Sequence, residues 1–185
     1  MKVLGISGSL RRDSYNAALL RAAAEFLPDG AELEPWDGLK AVPPYDEDDD
    51  VEPAPAAVAG LRDAIAGADA ILFATPEYNH SVPGQLKNAL DWASRPLATN
   101  PLRNKPVAVV GASMGAFGAV WAQAELRKIL AATGARVVDG EVAVGHAHEK
   151  LDPDGRLADD SLGEALAEVV EALVTVTRAR DLLAA

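Results

Sequence analysis

The chain has 185 residues, 49% of them apolar and none of them cysteine, with a formal net charge of −11. That length suits a single domain across 1–185, burying roughly 70% of its unfolded surface. Lack of cysteine excludes disulfides, thiolate nucleophiles and cysteine-ligated metals; the acidic balance argues against a nucleic-acid partner; no apolar run reaches the roughly 18 residues of a membrane span; and the N-terminus turns too early for a secretion signal, so the expected location is cytoplasmic.

Lys2-Val3-Leu4-Gly5-Ile6 reads as a short apolar strand ending in Ser7-Gly8-Ser9. A helix is expected from about Tyr15 to Leu27, with Ala17, Leu20, Ala24 and Leu27 on one face. Residues 31–34 look like an edge strand, and 36–55 form an irregular stretch rich in proline and acids. A helix then carries Val58, Leu61 and Ile65, and 70–74 make a buried strand. The next helix begins near Pro83, a residue suited to a first turn, and buries Leu86, Leu90 and Ala93. Pro106 to Gly111 is the fourth strand, and a helix covers about 117–132. Residues 137–138 and 142–144 supply a fifth strand region. A last helix, about 161–178, aligns Leu162, Leu166, Val169, Leu173 and Val176.

Strand and helix alternate throughout, which calls for a parallel sheet covered on both faces. Five strands fit a flavodoxin-like α/β sandwich of order 2-1-3-4-5, whose ligand lies beyond the carboxyl ends of strands 1 and 3. Six acids in positions 46–52 raise a calcium site. They lack the alternation, central glycine and closing glutamate of a calcium loop, so they read as a solvated loop and no metal is assigned.

Three loops fall at that end of the sheet. The first, Gly8-Ser9-Leu10-Arg11-Arg12-Asp13-Ser14-Tyr15-Asn16, offers hydroxyls, arginine and backbone amides at a helix start. Such a loop can cradle a phosphate, or its serines can simply cap the helix. It matches neither a Walker loop nor a dinucleotide fingerprint, so a terminal monophosphate is the better guest. The second, Thr75 to Gly84, joins a stiff proline turn to Tyr78, Asn79 and His80. It can flank a flat heterocycle, or be an ordinary turn capped by Ser81. The third, Gly111 to Gly118, has three glycines that allow close backbone approach, or only tight turns. Together they describe a site for a mononucleotide with an aromatic head group, such as FMN.

The first loop, the run Thr75 to Trp92 (TPEYNHSVPGQLKNALDW) and Ser113-Met114-Gly115 resemble the NADPH-dependent FMN reductase family, and within it the bacterial chromate and quinone reductases. The similarity runs nearly end to end and includes Asp152-Pro153. The resemblance implies a flavodoxin-like fold and non-covalent FMN. By matching position, Ser9, Leu10, Arg11, Ser14, Tyr15 and Asn16 would hold the phosphate and ribityl chain. Pro76, Glu77, Tyr78 and Asn79 would line the isoalloxazine, and Ser113 with Gly115 would approach its pyrimidine side.

It also implies a homodimer or homotetramer, and a ping-pong passage of electrons from NADPH or NADH to a small-molecule acceptor: a quinone, free flavin, azo compound or chromate. No protein residue is assigned as catalytic, because the hard chemistry belongs to the flavin. The alternative is a flavodoxin-type electron carrier without its own NAD(P)H turnover. Two departures stand out. His80 replaces the commoner tyrosine, glycine or asparagine and is assigned to the substrate side. Gly118-Ala119-Val120-Trp121 replaces a Gly-Gly pair and an arginine.

Overall fold

The computed structural model describes residues 1–152 and 154–184. Pro153, part of the late Asp152-Pro153 resemblance, lies outside them. The strands are β1 (Lys2–Ser7), β2 (Glu32–Trp36), β3 (Ala70–Thr75), β4 (Pro106–Ala112), β5 (Arg136–Val137) and β6 (Ala143–Val144). The helices are α1 (Tyr15–Ala24), α2 (Ala56–Gly67), α3 (Gly84–Ala93), α4 (Val120–Ala132), α5 (Ala147–Lys150) and α6 (Asp160–Ala184).

All pairings between named strands are parallel, and the order is β2-β1-β3-β4-β5, as expected. The fifth lane is split. β5 pairs with Pro106 and Val107 at the start of β4, and β6 with Gly111 and Ala112 at its end. Between them the chain passes through Gly140, whose φ of 133° belongs to glycine.

β3 and β4 are buried at every position. Their side chains alternate between two cores. Leu72, Ala108 and Val110 face α1 and α6, where Leu19, Leu166 and Leu173 pack. Ile71, Phe73, Val107 and Val109 face α2, α3 and α4, where Leu61, Leu86 and Leu126 pack. Each of these valine, leucine, isoleucine and phenylalanine side chains contributes about 1.5–3 kcal/mol when fully buried.

Two expectations need correction. α1 ends at Ala24, and that residue is exposed while Ala17 is only half-buried. The buried set is instead Asn16, Ala18, Leu19, Leu20, Ala22 and Ala23, because α1 packs against both the sheet and α6. α4 starts at Val120, not 117. Gly118 and Ala119 are both left-handed, and a side chain on Gly118 would stand 2.3 Å from the carbonyl carbon of Ala143. The segment before the helix is therefore held by contact with β6.

The irregular segment after β2 is held by α3. Gln85 donates to the carbonyls of Leu39 and Val42, both at 2.8 Å. Asn88 accepts from the Tyr45 N–H and donates to the Pro43 carbonyl. Buried Trp92 donates its indole N–H to the same carbonyl at 2.9 Å. Asp50 of the acidic stretch pairs with Arg62 at 2.8 Å. No helix among the described residues is long and apolar enough to cross a membrane.

Candidate active site

The carboxyl ends of β1, β3 and β4 carry the three loops. They enclose one cavity of about 350 Å³ lined by residues of all three, among them Ser9, Arg11, Ser14, Tyr15, Pro76 and Ser113.

At the first loop, Ser14 is the N-cap of α1. Its hydroxyl oxygen accepts from the N–H groups of Asn16 and Ala17 at 3.2 and 3.3 Å. Ser9 accepts from the Arg11 N–H at 3.4 Å, which curls the loop back. The N–H groups of Leu10, Arg12 and Asp13 have no hydrogen-bond partner among the described residues. Arg11 lines the cavity, with its guanidinium 5.9 Å from the Tyr15 ring centre; Arg12 is exposed and outside the lining. A curled loop with outward amides, a helix start and one arginine fits a phosphate.

Asn16 does something different. Its amide donates to the Ala112 carbonyl and accepts from the Ala112 N–H, both at 3.0 Å. The residue is 3% exposed. It ties the start of α1 to the end of β4 and so fixes the spacing between the first and third loops.

The second loop is a two-residue hairpin. Tyr78 and Ser81 exchange backbone hydrogen bonds of 3.2 and 3.1 Å, and Asn79 and His80 at its tip have φ of 53° and 61°. Two left-handed residues in a row make the tight turn whose twist suits a hairpin, at a position glycine would take most readily. The turn thrusts His80 outward, 75% exposed. Its ring meets that of Trp121 edge-on at 4.7 Å, and Trp121 meets Phe117 at 5.0 Å. Pro76, Glu77 and Tyr78 line the cavity; Leu10, Asn79 and His80 do not. Leu10 borders the adjoining grooves instead.

The third loop is shaped by β6 and the start of α5. Ser113 donates its N–H to Val144, and Ala147 donates to Ser113. The His146 N–H donates to Gly115 at 3.0 Å. Ser113 and Gly115 line the cavity as expected, together with Ala112 and Met114, which belong to the same loop but were not assigned a role. Met114 is an exposed apolar side chain of the lining.

Residues 1–149 match the family model described as NADPH-dependent FMN reductase. The chain belongs to that family. It is an NAD(P)H-dependent oxidoreductase, and its cofactor is FMN. It is 45% identical over 174 residues to an NAD(P)H-dependent FMN reductase of Pseudomonas aeruginosa, covering 94% of this chain and 93% of that one. It is 39% identical over 155 residues to a quinone reductase of Escherichia coli, covering 83% and 82%. The solved structure of the flavoenzyme NAD(P)H:(acceptor) oxidoreductase FerB of Paracoccus denitrificans superposes with a TM-score of 0.84 at 34% identity, covering 97% and 98%.

The FMN reductase fold thus gathers residues of three loops around one cavity. One oxygen of its Glu77 carboxylate accepts from the N–H groups of Trp121 and Ala122. Nothing in the sequence marked that contact.

Proposed function

We propose that the chain folds as one domain over 1–185 and reduces quinones and related acceptors at the expense of NADPH or NADH, by a ping-pong order. The single observation that supports this is the one cavity lined by Ser9 and Arg11 of the first loop and by exposed Tyr78 and Met114 of the other two. FMN, when bound, supplies the two-electron chemistry that links a reduced nicotinamide to an acceptor. In this reading Ser9, Arg11, Ser14 and Tyr15 serve its phosphate and ribityl end by contact and Asn16 by holding the loop, while Leu10 stands outside the lining. Pro76, Glu77 and Tyr78 form one wall for the ring, Asn79 acts only through the turn behind it, and Ser113 and Gly115 bring backbone to its edge.

One open mouth, bounded by Tyr78 and Met114, serves both donor and acceptor. They therefore exchange in turn, which is the basis of the ping-pong order. The quinone reductase name of the Escherichia coli relative supports quinones; free flavins, azo compounds and chromate are further acceptors in the proposal. His80, on the rim with Trp121, biases the choice among them. The exposed pair of Phe117 and Trp121, in contact at 5.0 Å, supports a homodimer or homotetramer. A cytoplasmic location is supported by the cysteine-free composition.

The test is steady-state NADPH and NADH oxidation by FMN-loaded protein with each acceptor. Parallel double-reciprocal lines are expected. FMN binding without NAD(P)H oxidation would make the protein an electron carrier instead.

A further inference from the structure

A second cavity, of about 420 Å³, lies between α1 and the edge strand β2. Small-molecule sites span about 300–1,000 Å³, and this one falls within that range. Leu20, Leu33 and Leu39 give it an aliphatic lining. Leu20 and Leu39 are each 3% exposed. Gly5 lets Leu33 lie against β1, since a side chain there would stand 2.7 Å from Leu33 Cδ2. α1 adds Ala17 and Ala24 to the lining. Both belong to the face that periodicity marks as core, yet Ala24 is exposed and Ala17 half-buried. Here α1 turns apolar side chains towards a cavity instead of a packed neighbour.

The charged groups at this cavity are Arg11, Arg21 and Lys40 against Asp37. That balance is the reverse of the whole chain's, whose net charge is −11. Lys40 is exposed. Among the described residues the lysines in ion pairs are Lys2, Lys87 and Lys150, which leaves the Lys40 ammonium without one.

We propose that this cavity binds an amphiphilic monoanion, a medium-chain alkyl carboxylate. The aliphatic lining takes the alkyl chain, whose burial is driven by the hydrophobic effect and needs no directional partner. The carboxylate stays at the rim, where the local field favours an anion although the surface at large does not. Arg11 also lines the flavin cavity, so in the FMN-loaded protein Lys40 and Arg21 supply the charge for the head group. A neutral amphiphile gains from the lining alone, and a cationic one is opposed at the rim.

The experiment titrates FMN-loaded protein by calorimetry with hexanoate, octanoate and decanoate, below the concentrations at which they form micelles. Octanol and octylammonium serve as neutral and cationic controls. Affinity should rise roughly tenfold with each added pair of methylenes, the worth of burying them. Octanoate should bind more tightly than octanol, and octanol more tightly than octylammonium. Ala24→Trp fills the cavity from an exposed helix position and should lower decanoate affinity about tenfold while FMN stays bound. Lys40→Glu should cut the advantage of octanoate over octanol by roughly threefold or more and leave octanol binding unchanged. Affinity that ignores chain length, or a head-group preference that Lys40→Glu leaves intact, would overturn the proposal. So would an absence of carboxylate binding; if Ala24→Trp then changes the sedimentation coefficient, the cavity is a contact between copies of this chain. Should Ala24→Trp fail to fold, the chain-length series and Lys40→Glu decide the matter.

Discussion

Glu77 accepts the backbone N–H of Trp121 at 3.1 Å, across 44 positions of sequence. The same carboxylate oxygen takes the next N–H, that of Ala122. α4 needs this help, because its own N-cap, Ala119, is left-handed and has no side-chain acceptor to offer. The other oxygen of Glu77 stands 3.6 Å from Nδ1 of His80. One carboxylate thus fixes the loop after β3 against the helix after β4, and with it the aromatic rim of the mouth.

Removing that carboxylate should therefore loosen α4 from its start. Glu77→Ala is expected to cost about 1–2 kcal/mol, from lost capping and lost charge–dipole attraction. Glu77→Gln keeps an acceptor oxygen and should cost roughly half as much. Urea unfolding of both variants provides the comparison. Equal losses would mean that charge, not hydrogen bonding, holds the helix start.

Asn16 offers a sharper contrast. Its amide is both donor and acceptor to one buried residue, Ala112. Asn16→Ala should destabilise by about 2–5 kcal/mol, since two buried backbone groups lose their partner. Asn16→Asp should be worse at neutral pH, because a carboxylate would face the Ala112 carbonyl, and should recover on acidification. An aspartate variant as stable as the parent at pH 7 would contradict this bonding.

The strands were legible because β3 and β4 are unbroken apolar runs, buried at every position. Their order followed from the alternation with helices. The inner face of α1 was not, because alanines at 17, 18, 22, 23 and 24 give the helix little contrast between faces. The start of α4 was missed because its limit is a contact with Ala143, distant in sequence. Of the site, the loop sequences gave Ser9, Arg11, Tyr78 and Ser113 a common place. The tying role of Asn16 and the capping role of Glu77 depend on partners 96 and 44 residues away, which no local pattern encodes.

At the first loop, Arg11 and Arg12 are adjacent but only Arg11 lines the cavity. Arg11→Ala should weaken FMN binding by about 1.5–3 kcal/mol, the usual worth of a hydrogen bond to a charged group. Arg12→Ala should have a smaller effect, and riboflavin should bind more weakly than FMN. Calorimetric titration measures all three; equal affinity for riboflavin and FMN would remove the phosphate assignment.

At the opposite end of the sheet, Lys105 donates to the carbonyls of Ala66 and Ala68 at the end of α2. Burial, and then the charge of Arg180, push its ammonium below the ordinary 10.5, against opposing pulls from Asp69 and Asp181. Between the lowered folded value and the unfolded one, the unfolded chain binds more protons, so this group makes stability rise with pH. The cost of burying the charge is full below the folded value, falls as pH climbs above it, and is gone above the unfolded value. Stability relative to Lys105→Met should therefore increase from neutral pH towards 10.5. Urea midpoints at several alkaline pH values would show it; a flat difference would place the lysine at its ordinary value.

His80 tests the acceptor side. It lies outside the cavity lining and is 75% exposed, yet its backbone is held left-handed and its ring rests on Trp121. A residue in that place can meet an acceptor at the mouth without touching the phosphate end. His80→Asn keeps a side chain that tolerates the left-handed turn, so the hairpin should survive. FMN binding and most of the NADPH-driven turnover should survive with it. What should change is the ranking of acceptors. The imidazole rests edge-on against Trp121 at 4.7 Å, and an amide in its place loses that ring contact and offers an acceptor a smaller, non-aromatic surface. The preference between chromate and a neutral quinone should therefore differ between the parent and His80→Asn. The measurement is the ratio of kcat/KM for the two acceptors, in both forms, at one fixed pH. A ratio that stays the same in parent and variant would make His80 a bystander on the loop. Loss of NADPH oxidation with FMN still bound would instead make it part of the reaction itself.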